Sequence, residues 1–336
     1  DILAAPELKD TAVVINEFGE IGLDHLIVGT VEGEAVLLRN GCVCCALRDD
    51  LKATLQDLLD RSMRGEMPAF RRIVVETTGL ADPIPIIETL LRDPLLRFHV
   101  RHERTIVTLD AVLGAGQLSR HAESVRQVAV ADRIVLTKAD IAGPEETAAT
   151  VDAARRINPG AALGERRSGT DPLALLAVSG RTVAADRLDE TRRWIEAFET
   201  AHGRNGHHHH HDDDPDGHDH HHDHEDGVRS LSLRLDGRID WSAFGVWLSA
   251  LLHRHGPRIL RTKGILDVSD VEGPVVLQAA EHLIHPPVHL PAWPDGERGS
   301  RLVFITRDLD PERIRRSLEA FLGAAARVSG RGTAAA

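Results

Sequence analysis

Short apolar runs alternate with amphipathic stretches through the first part of the chain. Ala12-Val13-Val14-Ile15 passes into the polar Asn16-Glu17-Phe18-Gly19-Glu20, the pattern of a buried strand feeding a loop. Val36-Leu37-Leu38 leads in the same way into Gly41-Cys42-Val43-Cys44-Cys45. Beyond it, Leu51, Leu55, Leu58 and Leu59 share one helical face and predict a helix that starts at Asp49 or Asp50. The runs 73–76, 105–109, 133–136 and 175–178 predict further buried strands, and the stretches 84–91, 121–131 and 190–199 predict helices. Short apolar strands that alternate with helices imply parallel pairing through βαβ crossovers. In such sheets ligands sit at the carboxyl ends of the strands. Three polar segments, 16–20, 76–79 and 137–140, each follow a predicted strand directly.

The pattern changes after Gly203. Residues 207–226 are almost entirely His and Asp, with no apolar side chain to offset the entropy of ordering, and read as a flexible linker and a loose collector of metal ions. A second domain follows. Ser230-Leu231-Ser232-Leu233-Arg234-Leu235 alternates as a half-buried strand; 241–252 and 311–322 predict helices, and 259–268, 275–282 and 302–306 predict strands. The expected organisation is an α/β domain over 1–200, the linker over 201–227, an α+β domain over 228–328 and a frayed tail over 329–336.

Charge alters this picture little. The net charge is −12, but 207–226 carries seven Asp, one Glu and no Lys or Arg, which leaves only −4 for the other residues of the 336. With no Tyr, 3% aromatic residues and no basic run, stacking platforms and phosphate-tracking grooves for nucleic acid are not expected. No apolar stretch approaches the ~20 residues of a membrane span, and no signal peptide is visible. Free clustered cysteines fit a reducing compartment, so a cytoplasmic location is expected. The chain opens Asp1-Ile2-Leu3-Ala4 without an initiating Met and is expected to be the remainder of a longer protein.

Cys42, Cys44 and Cys45 are the only cysteines. Neighbouring cysteines pair badly and no distant partner exists, so a disulfide framework is excluded. Three soft sulfur donors on one turn suit zinc, or another borderline-soft ion such as cobalt; nickel and copper(I) are also acceptable to thiolates. A helix N-terminus just downstream would lower the thiol pKa values and keep the ligands deprotonated. Three inert buried cysteines are the weaker alternative.

Thr137-Lys138-Ala139-Asp140, at a strand end, is close to the Asn-Lys-x-Asp motif of P-loop GTPases. There the Asp accepts N1–H and N2–H of guanine, and the Lys stem lies along the base. Ser179-Gly180, after the next predicted strand, is a candidate second guanine-contacting loop. Glu76 ends an apolar strand, with Gly79 three residues on. The carboxylate there can hold a water on Mg²⁺ or orient an attacking water, and Gly79 can donate its N–H to a γ-phosphate. A Glu that merely caps the next helix is the plainer alternative.

Asn16-Glu17-Phe18-Gly19-Glu20, Gly41-Cys42-Val43-Cys44-Cys45, Glu76-Thr77-Thr78-Gly79-Leu80-Ala81-Asp82-Pro83 and Thr137-Lys138-Ala139-Asp140 occur in the order seen in the CobW-type GTPases, and the chain resembles that family over nearly its whole length. Arg261-Thr262-Lys263-Gly264 and His285-Pro286-Pro287 are similar to segments of the family's C-terminal domain. The resemblance implies a P-loop GTPase-like, mostly parallel α/β sheet with helices on both faces, followed by the small α+β domain. It also implies GTP-dependent delivery of a metal ion, zinc or in one branch cobalt, to a client protein. In that scheme Cys42, Cys44 and Cys45 hold the metal, with Glu20 a further oxygen ligand. Asp140, Lys138, Thr137 and Ser179 serve the guanine, and Glu76 and Gly79 the Mg²⁺ and phosphate. Oligomeric state is left open. One departure is that the family's Gly-x-x-x-x-Gly-Lys-Thr loop is missing: none of the four lysines, Lys9, Lys52, Lys138 and Lys263, stands in that context. The loop and its strand are expected ahead of Asp1, and the chain as given is expected to bind GTP weakly or not at all. A passive zinc buffer without turnover is the competing reading. A zinc hydrolase is weaker, because catalytic zinc keeps an open position beside mostly His or carboxylate ligands.

Overall fold

Ala12, Val13, Val14 and Ile15 are all buried, as successive apolar residues must be when both faces of a strand are covered. They form β1 (Thr11–Asn16), which lies between β2 (Ala35–Leu38) and β3 (Arg72–Glu76) and runs parallel to both. A second group has the order β4 (Ile106–Asp110), β5 (Arg133–Thr137), β6 (Ala162–Glu165), with β4 and β5 parallel. Five of the expected strands are therefore present, in two three-stranded groups; β6 was not expected, the strand expected at 175–178 lies outside the described residues, and β3 and β4 do not pair with each other among the described residues. The structure, a computed structural model, describes residues 10–16, 35–38, 44–79, 81–166, 183–201, 227–293 and 298–332.

Six helices connect or flank these strands among the described residues: α1 (Cys44–Met63), α2 (Ile84–Arg92), α3 (Leu96–His99), α4 (Gly114–Arg120), α5 (Ala122–Val130) and α6 (Pro144–Ile157). α1 starts more than a turn before the predicted Asp49, because Cys44 to Arg48 contains no breaker and Ala46, Leu47 and Arg48 favour helix. Its leucines behave as predicted. Leu51, Leu55 and Leu58 bury against Val14 and Leu96, each contributing roughly 2 kcal/mol. Asp93 ends α2 and caps α3, accepting from Leu95 N at 3.0 Å and Leu96 N at 2.9 Å. Its second oxygen binds Lys52 Nζ of α1 at 2.9 Å.

α6 escaped the periodicity reading. Its buried face is Thr150, Ala153, Ala154 and Ile157, too small a set of side chains to mark a strong stripe. End signals were nevertheless present: Pro144, Glu145 and Glu146 open it, and Arg155 and Arg156 close it, in the sense that complements the helix dipole.

The remaining elements are α7 (Val183–Ala201), β7 (Val228–Leu235), α8 (Trp241–His255), β8 (Ile259–Leu266), β9 (Val275–Ala280), β10 (Leu283–Ile284), β11 (Val288–His289), β12 (Ser300–Arg307) and α9 (Pro311–Gly332). The sheet is antiparallel, in the order β10-β9-β8-β12-β7, with β11 also paired to β9. One face packs Leu231, Leu233, Leu277, Leu302 and Phe304 against Phe244, Trp247 and Leu252 of α8 and Ile314 and Leu318 of α9. Trp247 Nε1 donates to Ser317 Oγ at 2.7 Å and ties the two helices.

The other face carries Arg261, Lys263 and Gln278, all buried, and meets Glu190, Thr191 and Trp194 of α7. The helix predicted to close the first half thus lies on the C-terminal sheet. β8 and β9 are buried along their whole lengths for this reason. Lys263 Nζ binds Glu190 Oε1 at 2.6 Å and Asp132 Oδ1 at 2.8 Å, and Arg261 Nη2 also binds Asp132. Nearby, Asn158 Nδ2 donates to the carbonyls of Val128, Ala129 and Ala131, while its Oδ1 accepts from Trp194 Nε1 at 2.9 Å. The chain divides into two compact units: Asp1–Gln127, Arg133–Gly143 and Leu163–Ser179 in one, and Val128–Asp132, Pro144–Ala162 and Gly180–Ala336 in the other. Among the described residues no helix is long and apolar enough to cross a membrane.

Candidate functional site

β5 carries Ile134, Val135 and Leu136 into the interior and releases the chain at Thr137. Lys138 then takes a left-handed conformation, φ 58°, a costly geometry for a residue with a Cβ. The turn is held by Ile141 N and Ala142 N, which donate to Lys138 O at 3.2 and 3.0 Å. Ala139 is buried beneath it, and Lys138 and Asp140 on either side are exposed. The Asp140 carboxylate has no partner among the described residues and is open to a ligand.

Lys138 Nζ binds Asp110 Oδ2 at 2.6 Å, across to the carboxyl end of β4. Asp110 also accepts from Val112 N at 2.8 Å and Leu113 N at 3.2 Å. Burial would raise the Asp110 pKa, but the Lys138 ammonium and these amides outweigh it and hold the carboxyl below its ordinary value. Asp110 is a site residue that motif reading missed. Its signal was an acid at the end of an apolar run, in register with Thr137 of the neighbouring strand.

Glu76 ends β3 with its side chain exposed, and Gly79 is exposed in the following loop. Thr78 Oγ1 is buried without a hydrogen-bond partner. Ala81 N donates to Thr78 O at 3.0 Å, and Asp82 Oδ1 accepts Ile84 N at 3.0 Å, closing the loop onto α2. The first amide of α2 is thus held by Asp82, one residue ahead of the N-cap Pro83. Arg126 and Gln127 of α5 bind Asp82, Gly79 and Ala81, contacts that no sequence signal announced. Glu76 and Gly79 form one group and Thr137, Lys138 and Asp140 another; no hydrogen bond or ion pair joins them among the described residues.

Of the expected metal ligands, Cys44 and Cys45 begin α1, so two of the thiols lie on the first helical turn and not ahead of it. Their side chains, together with Cys42, Glu20, Ser179 and the His/Asp-rich segment, lie outside the described residues. Among the described residues no other group of three or more His, Cys, Asp or Glu is placed to hold a metal ion.

Comparison with known proteins bears on the whole chain. Residues 1–164 match the CobW/HypB/UreG nucleotide-binding domain, and residues 228–322 match the cobalamin synthesis protein cobW C-terminal domain. The zinc chaperone YjiA of Escherichia coli is 30% identical over 304 residues, covering 90% of this chain and 87% of that protein. The zinc chaperone CobW of a Sinorhizobium species is 27% identical, covering 96% of this chain and 92% of its own length. A crystal structure of a zinc-bound triple mutant of YjiA GTPase superposes with a TM-score of 0.61 at 26% identity, over 93% of this chain and 89% of that one. With both domains matched in order and a relative aligned along nearly its full length, the chain belongs to the CobW family of nucleotide-binding proteins.

Proposed function

We propose that this protein is a GTP-hydrolysing metallochaperone whose cargo is zinc. The observation that carries the reading is the loop after β5, with an exposed, unpartnered Asp140 and a strained Lys138 at the end of a buried parallel strand. In this reading Asp140 accepts N1–H and N2–H of guanine, and the Lys138 stem lies along the base. Thr137 supports the loop, and Ser179 contributes a second contact. Hydrolysis adds water to the γ-phosphorus and breaks its bond to the β,γ-bridging oxygen, giving GDP and phosphate. Glu76 orients that water or the hydration shell of Mg²⁺; its exposed carboxylate gives oxygen donors of the kind Mg²⁺ takes. The ion, when bound with the nucleotide, neutralises charge on the phosphates.

Cys42, Cys44 and Cys45 hold the zinc as thiolates, with Glu20 as a fourth ligand. Two of these cysteines on the first turn of α1 lie where the positive end of the helix favours the thiolate form. GTP and GDP states favour different geometries of this segment, and release in one of them passes the ion to a client protein. Cobalt is chemically acceptable to the same ligands.

The test is zinc affinity by competition with a chromophoric chelator, with and without Mg²⁺-GTP, on the chain extended ahead of Asp1 by a phosphate-loop segment. A several-fold shift on adding GTP, abolished by Cys44→Ser, supports the chaperone. Equal affinities in both states would make the protein a passive zinc buffer.

A further inference from the structure

The loop that follows β3 is tied down on one side by a single helix. Gln127 of α5 donates from Nε2 to Gly79 O at 3.0 Å and to Ala81 O at 2.8 Å. One residue earlier, Arg126 Nη1 binds Asp82 Oδ2 at 2.9 Å, while Asp82 Oδ1 caps α2.

What the ties leave open is as informative. They engage the carbonyl oxygens of Gly79 and Ala81. Gly79 N–H has no partner among the described residues, and Thr78 Oγ1 is buried and unpartnered. Buried hydroxyls are nearly always satisfied, so an orphan beside an open amide marks donors kept for an absent acceptor. An oxygen-rich anion is the ligand class that takes two such donors.

We propose that Gln127 is a positioning residue for nucleotide hydrolysis: by holding the Gly79 and Ala81 carbonyls, it presents Gly79 N–H and Thr78 Oγ–H to the terminal phosphate. This rests on the GTPase reading above. Gln127 touches neither nucleotide nor water; it holds the peptides after Gly79 and Ala81, and with the Ala81 N–H on Thr78 O at 3.0 Å it fixes the turn that carries the Gly79 amide.

Two measurements decide it. On the chain as it stands, hydrogen exchange compares the wild type with Gln127→Ala and Gln127→Glu, the second keeping size and losing the donor. Both variants are expected to exchange faster across 77–83 and to leave 106–110 and 259–266 unchanged. On the chain extended by a phosphate-loop segment, affinity for GDP is compared with affinity for the β,γ-imido analogue of GTP. GDP binding should be unchanged, while analogue affinity and kcat for GTP fall about tenfold to a hundredfold, the cost of misplacing a transition-state donor. Unchanged exchange over 77–83, or equal losses for GDP and analogue, would overturn the proposal. If the extended wild type binds no guanine nucleotide, the GTPase reading fails and takes the phosphate assignment with it, and the exchange data still report whether Gln127 holds the loop.

Discussion

Replacing Asp132 by Asn tests the most heavily desolvated charges described. Asp132, Arg261 and Lys263 have side chains 3%, 1% and 0% exposed, and Glu190, the fourth member, is 15% exposed. Two cations face two anions. Asp132→Asn leaves two buried cations against one carboxylate, and Arg261 has no spare partner to turn to: its Nε and Nη1 are already buried without hydrogen bonds. Breaking a buried pair from one side costs about 3–5 kcal/mol. Counting two lost charge-assisted hydrogen bonds at roughly 1.5–3 kcal/mol each gives a similar figure.

Urea unfolding followed by tryptophan emission is the assay. All four tryptophans, Trp194, Trp241, Trp247 and Trp293, lie in the unit that holds the cluster. Trp194 lies 5.4 Å from Lys263 Nζ and so reports locally. The midpoint should fall by the equivalent of about 3–5 kcal/mol at an unchanged slope. The variant with Asp132→Leu, Glu190→Leu, Arg261→Met and Lys263→Met should regain much of that loss, since apolar packing replaces a buried ionic cluster at little or no cost. An Asp132→Asn shift below about 1 kcal/mol would refute the argument, because a cost that small belongs to solvent-screened pairs.

Three further outcomes are expected. Asn158→Ala orphans the Trp194 indole N–H and the carbonyls of Ala129 and Ala131, while Val128 O keeps Ala131 N, and should cost about 3 kcal/mol on the same urea curve; a neutral result would mean that water replaces the amide. Lys52 first, then the Leu96 amide, hold the Asp93 carboxyl below its ordinary 3.8 against the opposing effect of burial. A depressed folded pKa gives stability that is complete above 3.8 and lost as pH falls through that value and below it, so Asp93→Asn should flatten that part of the acid-unfolding profile; superimposable profiles would contradict this. In the chain extended by a phosphate-loop segment, Asp140→Ala should weaken GTP about a hundredfold and leave ATP unaffected, as two hydrogen bonds to guanine are lost. Equal effects on both nucleotides would remove Asp140 from base recognition.

The parallel strands were legible because burial on both faces writes itself as unbroken apolar runs, as in Ala12 to Ile15 and Ile134 to Leu136. α6 was not, since its buried residues are Thr150, Ala153, Ala154 and Ile157, of which only the last is a large apolar side chain. The placement of α7 was hidden for a different reason. Its inner face mixes Trp194, Ile195 and Phe198 with Arg187, Glu190 and Thr191, a pattern that resembles an ordinary amphipathic helix until Arg261 and Lys263 are seen opposite it. In β8, buried cations read as the polar half of an exposed strand. Only their partners, Asp132 on one segment and Glu190 on another, make them interior residues.

The same division runs through the site. Asp140, Lys138 and the three cysteines can be proposed from the sequence because their chemistry belongs to the residue type: carboxylate, ammonium, thiolate. Asp110 and Gln127 could not, because what they do belongs to their neighbours. Asp110 matters through Lys138, 28 positions away, and Gln127 through Gly79, 48 positions away. A Gln in mid-helix carries no catalytic signature and is ordinarily a solvated surface group. The role proposed for it rests on the two carbonyls it holds in the loop that carries Gly79. Sequence motifs therefore name the groups that meet a ligand, and the hydrogen-bond inventory of the folded loop names the groups that aim them. For a protein proposed to couple nucleotide state to zinc release, the second set matters as much as the first. The coupling works only if Gly79 and the loop around it have a defined starting geometry from which to move.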